Sequence, residues 1–144
     1  MYNDLRNMVL SGRVPDADGP SAALMEIGLE GGTATLVAIA DGSTSLYLSN
    51  GGGVIGAGEH ASVREAASVF LRSASDHSDK LEATTDQPLP AARKVRFFVN
   101  NGGSLRTAEA EEEKLTKGAH ALSDLYAAGQ KVLTAIREAS NDQQ

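Results

Sequence analysis

Cysteine is absent from this sequence of 144 residues. Disulfide bonds, thiolate nucleophiles and thiolate metal ligands are therefore excluded. A chain without cysteine is compatible with a reducing compartment. We therefore expect a cytoplasmic protein.

Long apolar runs are also lacking. The longest aliphatic run, residues 36–40, is far shorter than the roughly 20 apolar residues that a membrane helix needs. The first 20 residues place three aspartates around a short apolar patch at 8–10, which is not the pattern of a signal peptide. We expect a soluble intracellular protein without a membrane partner.

Positive charge is scarce, because 13 Lys and Arg face 19 Asp and Glu, for a net charge of −6. An acidic surface repels phosphate backbones. The basic residues cluster only at Arg93, Lys94 and Arg96, and Arg96 is expected to point outward from a strand. We therefore expect no nucleic-acid partner.

Aromatic residues are rare, at 4% of the chain, and tryptophan is absent. The hydrophobic fraction of 41% is nevertheless near the globular norm. A core of alanine, valine, leucine and isoleucine is expected. The length is that of one ordinary domain, so we predict a single domain over residues 1–144.

Alternating or continuous apolar residues predict six strands, at 22–29, 33–40, 45–49, 53–57, 94–99 and 104–108. Turn signals at Gly31, Gly42, Gly51 and Gly102 separate successive strands. The first four strands therefore form a predicted antiparallel meander, and the last two form a hairpin. In strand 22–29, Ala23, Met25, Ile27 and Leu29 are expected to lie on one apolar face.

Helical periodicity predicts two main helices, at 62–75 and 121–138. The apolar stripe of the second helix, at residues 122–136 and including Tyr126, is interpreted as core. Ser62 and Glu65 have the spacing of a capping box at the start of the first. Shorter helices are predicted at 2–11 and 109–117, with Gly118 ending the latter. The remaining segments are a loop at 13–21, an extended connection at 76–93 and a frayed tail at 140–144.

These elements predict an α+β domain in which an antiparallel sheet of five to six strands is covered by two main helices. In outline this order resembles the profilin and roadblock/longin type of small domain. The resemblance is architectural and has no sequence motif behind it.

A glycine-rich segment at residues 50–60 separates the meander from the first main helix. Gly51, Gly53 and Gly56 match a dinucleotide fingerprint, but the helix is predicted to start too late to face a pyrophosphate. A phosphate-binding P-loop would need Lys and then Ser or Thr after Gly58, where Glu59 and His60 stand. We therefore favour a structural turn and strand exit, and leave a ligand site of another kind open.

If that segment binds a ligand, its side chains should converge on one pocket with the glycine amides. The candidate binding residues are Asn50, Gly51, Gly52, Gly53, Glu59 and His60. The three histidines lack metal-site spacing, so we expect no metal, no cofactor and no catalytic residue. The acidic run ending at Glu113 is interpreted as a solvated face, with a helical pair to Lys117.

The sequence therefore favours a non-catalytic interaction or adaptor domain that forms a homodimer or binds a protein partner. The alternative is a small-molecule-binding domain or enzyme with its site at residues 41–60. A third hypothesis is an accessory subunit of a larger assembly.

Overall fold

Seven strands form one antiparallel sheet in the part of the chain that the structure describes. The computed structural model describes residues 22–40, 42–49, 53–54, 60–85, 89–101 and 104–142. The strand order across the sheet is β4-β3-β2-β1-β6-β7-β5. The strands are β1 Ala22–Leu29, β2 Gly32–Ile39, β3 Thr44–Leu48, β4 Gly53–Val54, β5 Glu82–Ala83, β6 Lys94–Asn101 and β7 Ser104–Glu111.

The predicted meander and hairpin are both confirmed. Successive strands from β1 to β4 pair antiparallel, as do β6 and β7. Gly31 and Gly42 have φ values of 82° and 98°, which glycine adopts readily, and they lie in the first two turns. The turns predicted at Gly51 and Gly102 lie outside the described residues. β1 pairs with both β2 and β6 and, as the fourth of seven strands, is the central strand.

The helices are α1 Ala61–Asp76, α2 Glu112–Thr116 and α3 Ser123–Asp142. α1 and α3 pack against each other and against one face of the sheet, which we call the helix face. Gly129 of α3 permits this approach, because a Cβ there would lie 2.5 Å from the Met25 sulfur. The buried residues that the sheet contributes to this core are Ala23, Met25, Leu36, Ala38, Val95, Phe97, Val99 and Ala110.

The opposite side of the sheet, which we call the second face, is buried at its centre. A smaller apolar cluster lies here and consists of Ala22, Leu24, Val37, Phe98 and Leu105. Leu24 and Met25 point to opposite faces, and both are 0% exposed. The prediction of a single apolar face for β1 was therefore incomplete, because β1 buries apolar side chains on both faces. Leu29, which was assigned to the predicted face, is 47% exposed.

The connection from β5 to β6 passes over the second face at Gly28. A Cβ added to Gly28 would lie 2.7 Å from the Ala91 carbonyl carbon and closer still to its oxygen. The Arg93 amide also donates to the Gly28 carbonyl oxygen at 3.0 Å. Glycine is thus required at this crossing for space rather than for φ.

Several predicted boundaries were wrong. α1 begins at Ala61, and its N-cap is His60 without a side-chain cap hydrogen bond, so the capping box of Ser62 and Glu65 is not formed. Ala61, a strong helix former, already adopts helical geometry. The predicted extended connection contains a 3₁₀ turn at Ser78–Lys80 and the strand β5.

The acidic segment after β7 also differs from the prediction. Residues 109–111 continue β7, and only Glu112–Thr116 is helical. Gly118, with φ 73°, ends α2 as expected. Its amide donates to Leu115, and the Ala119 amide donates to Lys114, which is the Schellman pattern. At the other end of the chain, α3 extends through Asp142, past the predicted start of the tail.

The second main helix has the predicted buried stripe. Leu122, Leu125, Val132 and Ile136 are at most 3% exposed, and Tyr126 packs at the margin of the core. Within the described ranges, no helix is both long and apolar enough to cross a membrane.

Candidate functional site

The binding residues predicted in the glycine-rich segment are only partly described. Asn50, Gly51, Gly52 and Glu59 lie outside the described residues. Gly53 lies in β4 and pairs with Tyr47. His60 is the N-cap of α1, and its carbonyl accepts a hydrogen bond from the Arg64 amide at 3.0 Å. The convergence of this segment on one pocket stays a prediction.

All three histidines stand at helix ends. His60 precedes α1, and His77 follows it with Nδ1 2.7 Å from the Ser73 carbonyl oxygen. His120 precedes α3, and its Nδ1 accepts a hydrogen bond from the Leu122 amide at 3.0 Å. The described residues contain no group of three His, Asp or Glu side chains that could hold a metal ion.

A row of polar side chains, which we call the polar row, crosses the second face of the sheet. Its members are direct cross-strand neighbours in the order Tyr47, Thr35, Glu26, Arg96 and Glu109. Glu26 is 0% exposed, and the Thr35 hydroxyl donates to its Oε2 at 2.6 Å. A hydrogen-bonded carboxylate of this kind is tolerated in a core, whereas an isolated one is costly.

Arg96 occupies the outer part of the polar row, contrary to the expectation that it points into solvent. Its side chain is 17% exposed and lies 3.4 Å from Glu109, while Nη1 donates to the Thr107 hydroxyl at 3.1 Å. Its Nε is buried without a hydrogen-bond partner. A one-residue slip of β1, β6 or β7 would turn these charges toward the helix face, so the polar row favours the observed register of these three strands.

An open cleft of about 550 Å³ lies where the start of β6, the end of β7, α2 and α3 meet. We call it the Tyr126 cleft. Its lining residues are Ala92, Arg93, Lys94, Glu111, Glu112, Glu113, Thr116, Lys117 and Tyr126.

The backbone of Arg93 holds two walls of the Tyr126 cleft together. The Arg93 amide donates to Gly28, and its carbonyl accepts from the Glu112 amide, both at 3.0 Å. This geometry requires a φ of 66° at Arg93, the single positive value among the described non-glycine residues. Such values are uncommon for side chains with a Cβ. The start of β6 is thereby fixed against the start of α2.

A tyrosine–glutamate pair forms the inner part of the Tyr126 cleft. The Tyr126 hydroxyl donates to Glu112 Oε2 at 3.1 Å, and both side chains are half-buried. Burial raises the pKa of Tyr126 above its ordinary value of 10.0; the Thr116 hydroxyl opposes this, and the Glu112 charge adds to it. The phenol is therefore a fixed hydrogen-bond donor to Glu112 at neutral pH.

Charges of both signs surround this pair and reach into solvent. Lys117 Nζ lies 2.8 Å from Glu113, the predicted helical pair, and Arg93 lies 3.7 Å from Glu30. The Arg93 and Lys117 side chains are 86% and 67% exposed. The Tyr126 cleft therefore combines a partly desolvated aromatic and carboxylate interior with a hydrated, mixed-charge rim.

The sequence pattern did not predict the Tyr126 cleft. Two sequence features belong to the cleft. Tyr126, at the margin of an aliphatic stripe, was interpreted as core, and the acidic run at Glu111–Glu113 was interpreted as a solvated face. The cleft exists because β7 continues to Glu111, so that α2 turns back toward α3. That geometry depends on strand length rather than on a local motif.

Comparison of the chain with family models, curated proteins and solved structures finds no match. The architectural resemblance to profilin and roadblock/longin domains therefore stays a prediction.

Proposed function

We propose that the chain is a non-catalytic interaction domain that binds a segment of a partner protein in the Tyr126 cleft. The observation that carries this proposal is the combination of a half-buried tyrosine and an open, mixed-charge rim in one concavity. Protein interfaces characteristically have aromatic anchors at the centre and polar residues at the rim.

The rim supports a protein segment as the occupant. Arg93 and Lys117 are long, exposed side chains whose ion pairs with Glu30 and Glu113 contribute little while solvated. A polypeptide with side chains of either sign can exchange these pairs for contacts of its own. The cysteine-free composition further supports a cytoplasmic setting for such a partner.

A second copy of the chain belongs to the same proposal. β5 pairs only with Arg106 and Thr107, so in the described residues the outer edge of Ala108–Glu111 has no neighbouring strand. Unpaired edges favour association with another chain. This edge supports a homodimer as one form in which the domain acts.

A small molecule is the second candidate occupant. The volume of about 550 Å³ falls within the range of small-ligand pockets, roughly 300–1,000 Å³. This cleft contains none of the residues 41–60, so it is a different site from the small-molecule site predicted by the sequence.

The proposal is tested by selecting random-sequence peptides displayed on phage against the immobilised full chain. Thr116→Trp places a bulky ring in the Tyr126 cleft, because Thr116 lines it and is exposed. Ser68→Trp is the matched control, since Ser68 is exposed on α1. Circular dichroism confirms that both variants are folded.

We expect selected peptides to bind the wild type and Ser68→Trp equally. Thr116→Trp is expected to weaken them by about tenfold or more, equivalent to about 1.4 kcal/mol. Selection of no peptide, or equal binding to Thr116→Trp, would overturn the proposal.

A further inference from the structure

We infer that the Tyr126 cleft recognises a cationic side chain, a lysine or arginine of the partner segment, which lies against both the Glu112 carboxylate and the face of the Tyr126 ring. This inference rests on the proposed function and specifies the chemistry of the partner.

Glu112 is the first observation that points to a cation. Its carboxylate is half-buried and lines the cleft, and among the described residues its one side-chain partner is the Tyr126 hydroxyl. A carboxylate offers about four acceptor positions. The remaining positions are available to a donor that enters the cleft.

The neighbouring carboxylates differ from Glu112 in this respect. Glu113 lies 2.8 Å from Lys117, and Glu111 lies 3.9 Å from Lys114. Their side chains are 76% and 56% exposed, so water also solvates them. Glu112 is therefore partly desolvated and has no ion pair in the described part of the chain. A charge-assisted hydrogen bond to such a carboxylate contributes more binding energy than one to an exposed, paired carboxylate.

Tyr126 is the second observation. The face of an aromatic ring attracts a cation, and more strongly when the site is desolvated. The hydrogen bond from its hydroxyl to Glu112 holds ring and carboxylate side by side. An ammonium or guanidinium group that contacts both is attracted by the ring face and by the carboxylate, whereas an anion would be repelled by Glu112.

The basic side chains at the rim of the Tyr126 cleft do not remove its preference for a cation. Arg93, Lys94 and Lys117 each lie within 3.8 Å of a carboxylate of Glu30, Glu109 or Glu113. The net charge of −6 also attracts a basic segment over longer distances. Charge complementarity therefore favours a lysine- or arginine-bearing protein segment.

The test uses the peptides selected in the cleft experiment. Each lysine in them is replaced by norleucine and each arginine by citrulline, which removes the charge and keeps the length. The protein variant is Glu112→Gln, and Glu65→Gln, exposed on α1, is the control.

We expect the selected peptides to contain lysine or arginine. Loss of that charge and Glu112→Gln should each weaken binding by about tenfold, and the two changes together should be far less than additive. Glu65→Gln should have no effect. Peptides whose affinity falls with Thr116→Trp but is unchanged by Glu112→Gln would overturn the inference without contradicting the proposed function.

A direct titration covers the case in which no peptide is selected. N-acetyl-arginine methylamide is added to the isotope-labelled full chain and followed by NMR, with the citrulline analogue as control. Saturable shifts at Tyr126 and Glu112 for arginine alone support the cation site even when the protein-segment proposal has failed. No shift at these residues overturns the inference.

Discussion

At the scale of single residues, Glu26 illustrates how a charged side chain is placed in the middle of this sheet. It is 0% exposed and accepts a hydrogen bond of 2.6 Å from the Thr35 hydroxyl. Alternation along β1 indicates only that Glu26 lies opposite Met25. Its burial follows from the pairing of β1 on both sides, which the sequence pattern does not show.

Thr35→Val tests the contribution of this hydrogen bond to stability. Valine keeps the shape of threonine and removes the donor, so the buried carboxylate loses a partner. We expect the free energy of unfolding to fall by about 1–3 kcal/mol, measured by urea denaturation. Thr134→Val, exposed on α3, is the control and should cost less than about 0.5 kcal/mol. Equal losses in the two variants would contradict the prediction.

The type of a residue predicted its backbone conformation better than it predicted the contacts of its side chain. Gly118 was correctly predicted to end a helix, because its positive φ is a local requirement. The side chain of Arg96 was placed less well, since its partners Glu109 and Thr107 belong to another strand. The pairing of Tyr126 with Glu112 likewise joins side chains from different helices.

At the scale of elements, the long periodic segments were predictable and the short ones were not. β1, β2, α1 and α3 each repeat their pattern over several turns or alternations. β5 has two residues, both exposed, and offers no period to detect. The end of β7 was predicted as the start of a short helix at 109–117. Cross-strand neighbours explain its extended form, since Glu109 and Glu111 face Arg96 and Lys94.

Gly28→Ala tests the crossing of the β5–β6 connection over the second face. The new methyl group would overlap the main chain at Ala91, which cannot rotate away. We expect a loss of about 1–3 kcal/mol in the free energy of unfolding, typical of overpacking, by urea denaturation. Adding Ala91→Gly should not restore stability, because the overlapping atoms are backbone. Wild-type stability of Gly28→Ala would show that the connection does not cross there.

At the scale of the whole molecule, fold class was predictable, but the full strand order was not. Hairpin signals identify neighbours along the chain, and they gave both the meander and the β6–β7 pair. They carry no information on the pairing of β1 with β6, or on α1 connecting the two edges of the sheet. The single-domain prediction agrees with one sheet containing strands from residues 22 to 111 and stays a prediction for the full chain.

Self-association is the prediction that belongs to this scale. Size-exclusion chromatography with light scattering at micromolar concentrations is expected to give about twice the chain mass of 15.0 kDa. Two copies with a net charge of −6 repel each other, so salt should strengthen the dimer by screening. A strict monomer at every concentration and ionic strength would contradict the homodimer.

The central position of β1 also has a consequence for folding kinetics. The meander and the β6–β7 hairpin each form from neighbouring segments, but joining them requires Met25 to meet Phe97 across a long intervening chain. Closing such a loop costs conformational entropy before the contact stabilises anything. The β1–β6 seam is therefore expected to limit the folding rate, so substitutions there slow folding, whereas those in the later-forming edges mainly accelerate unfolding.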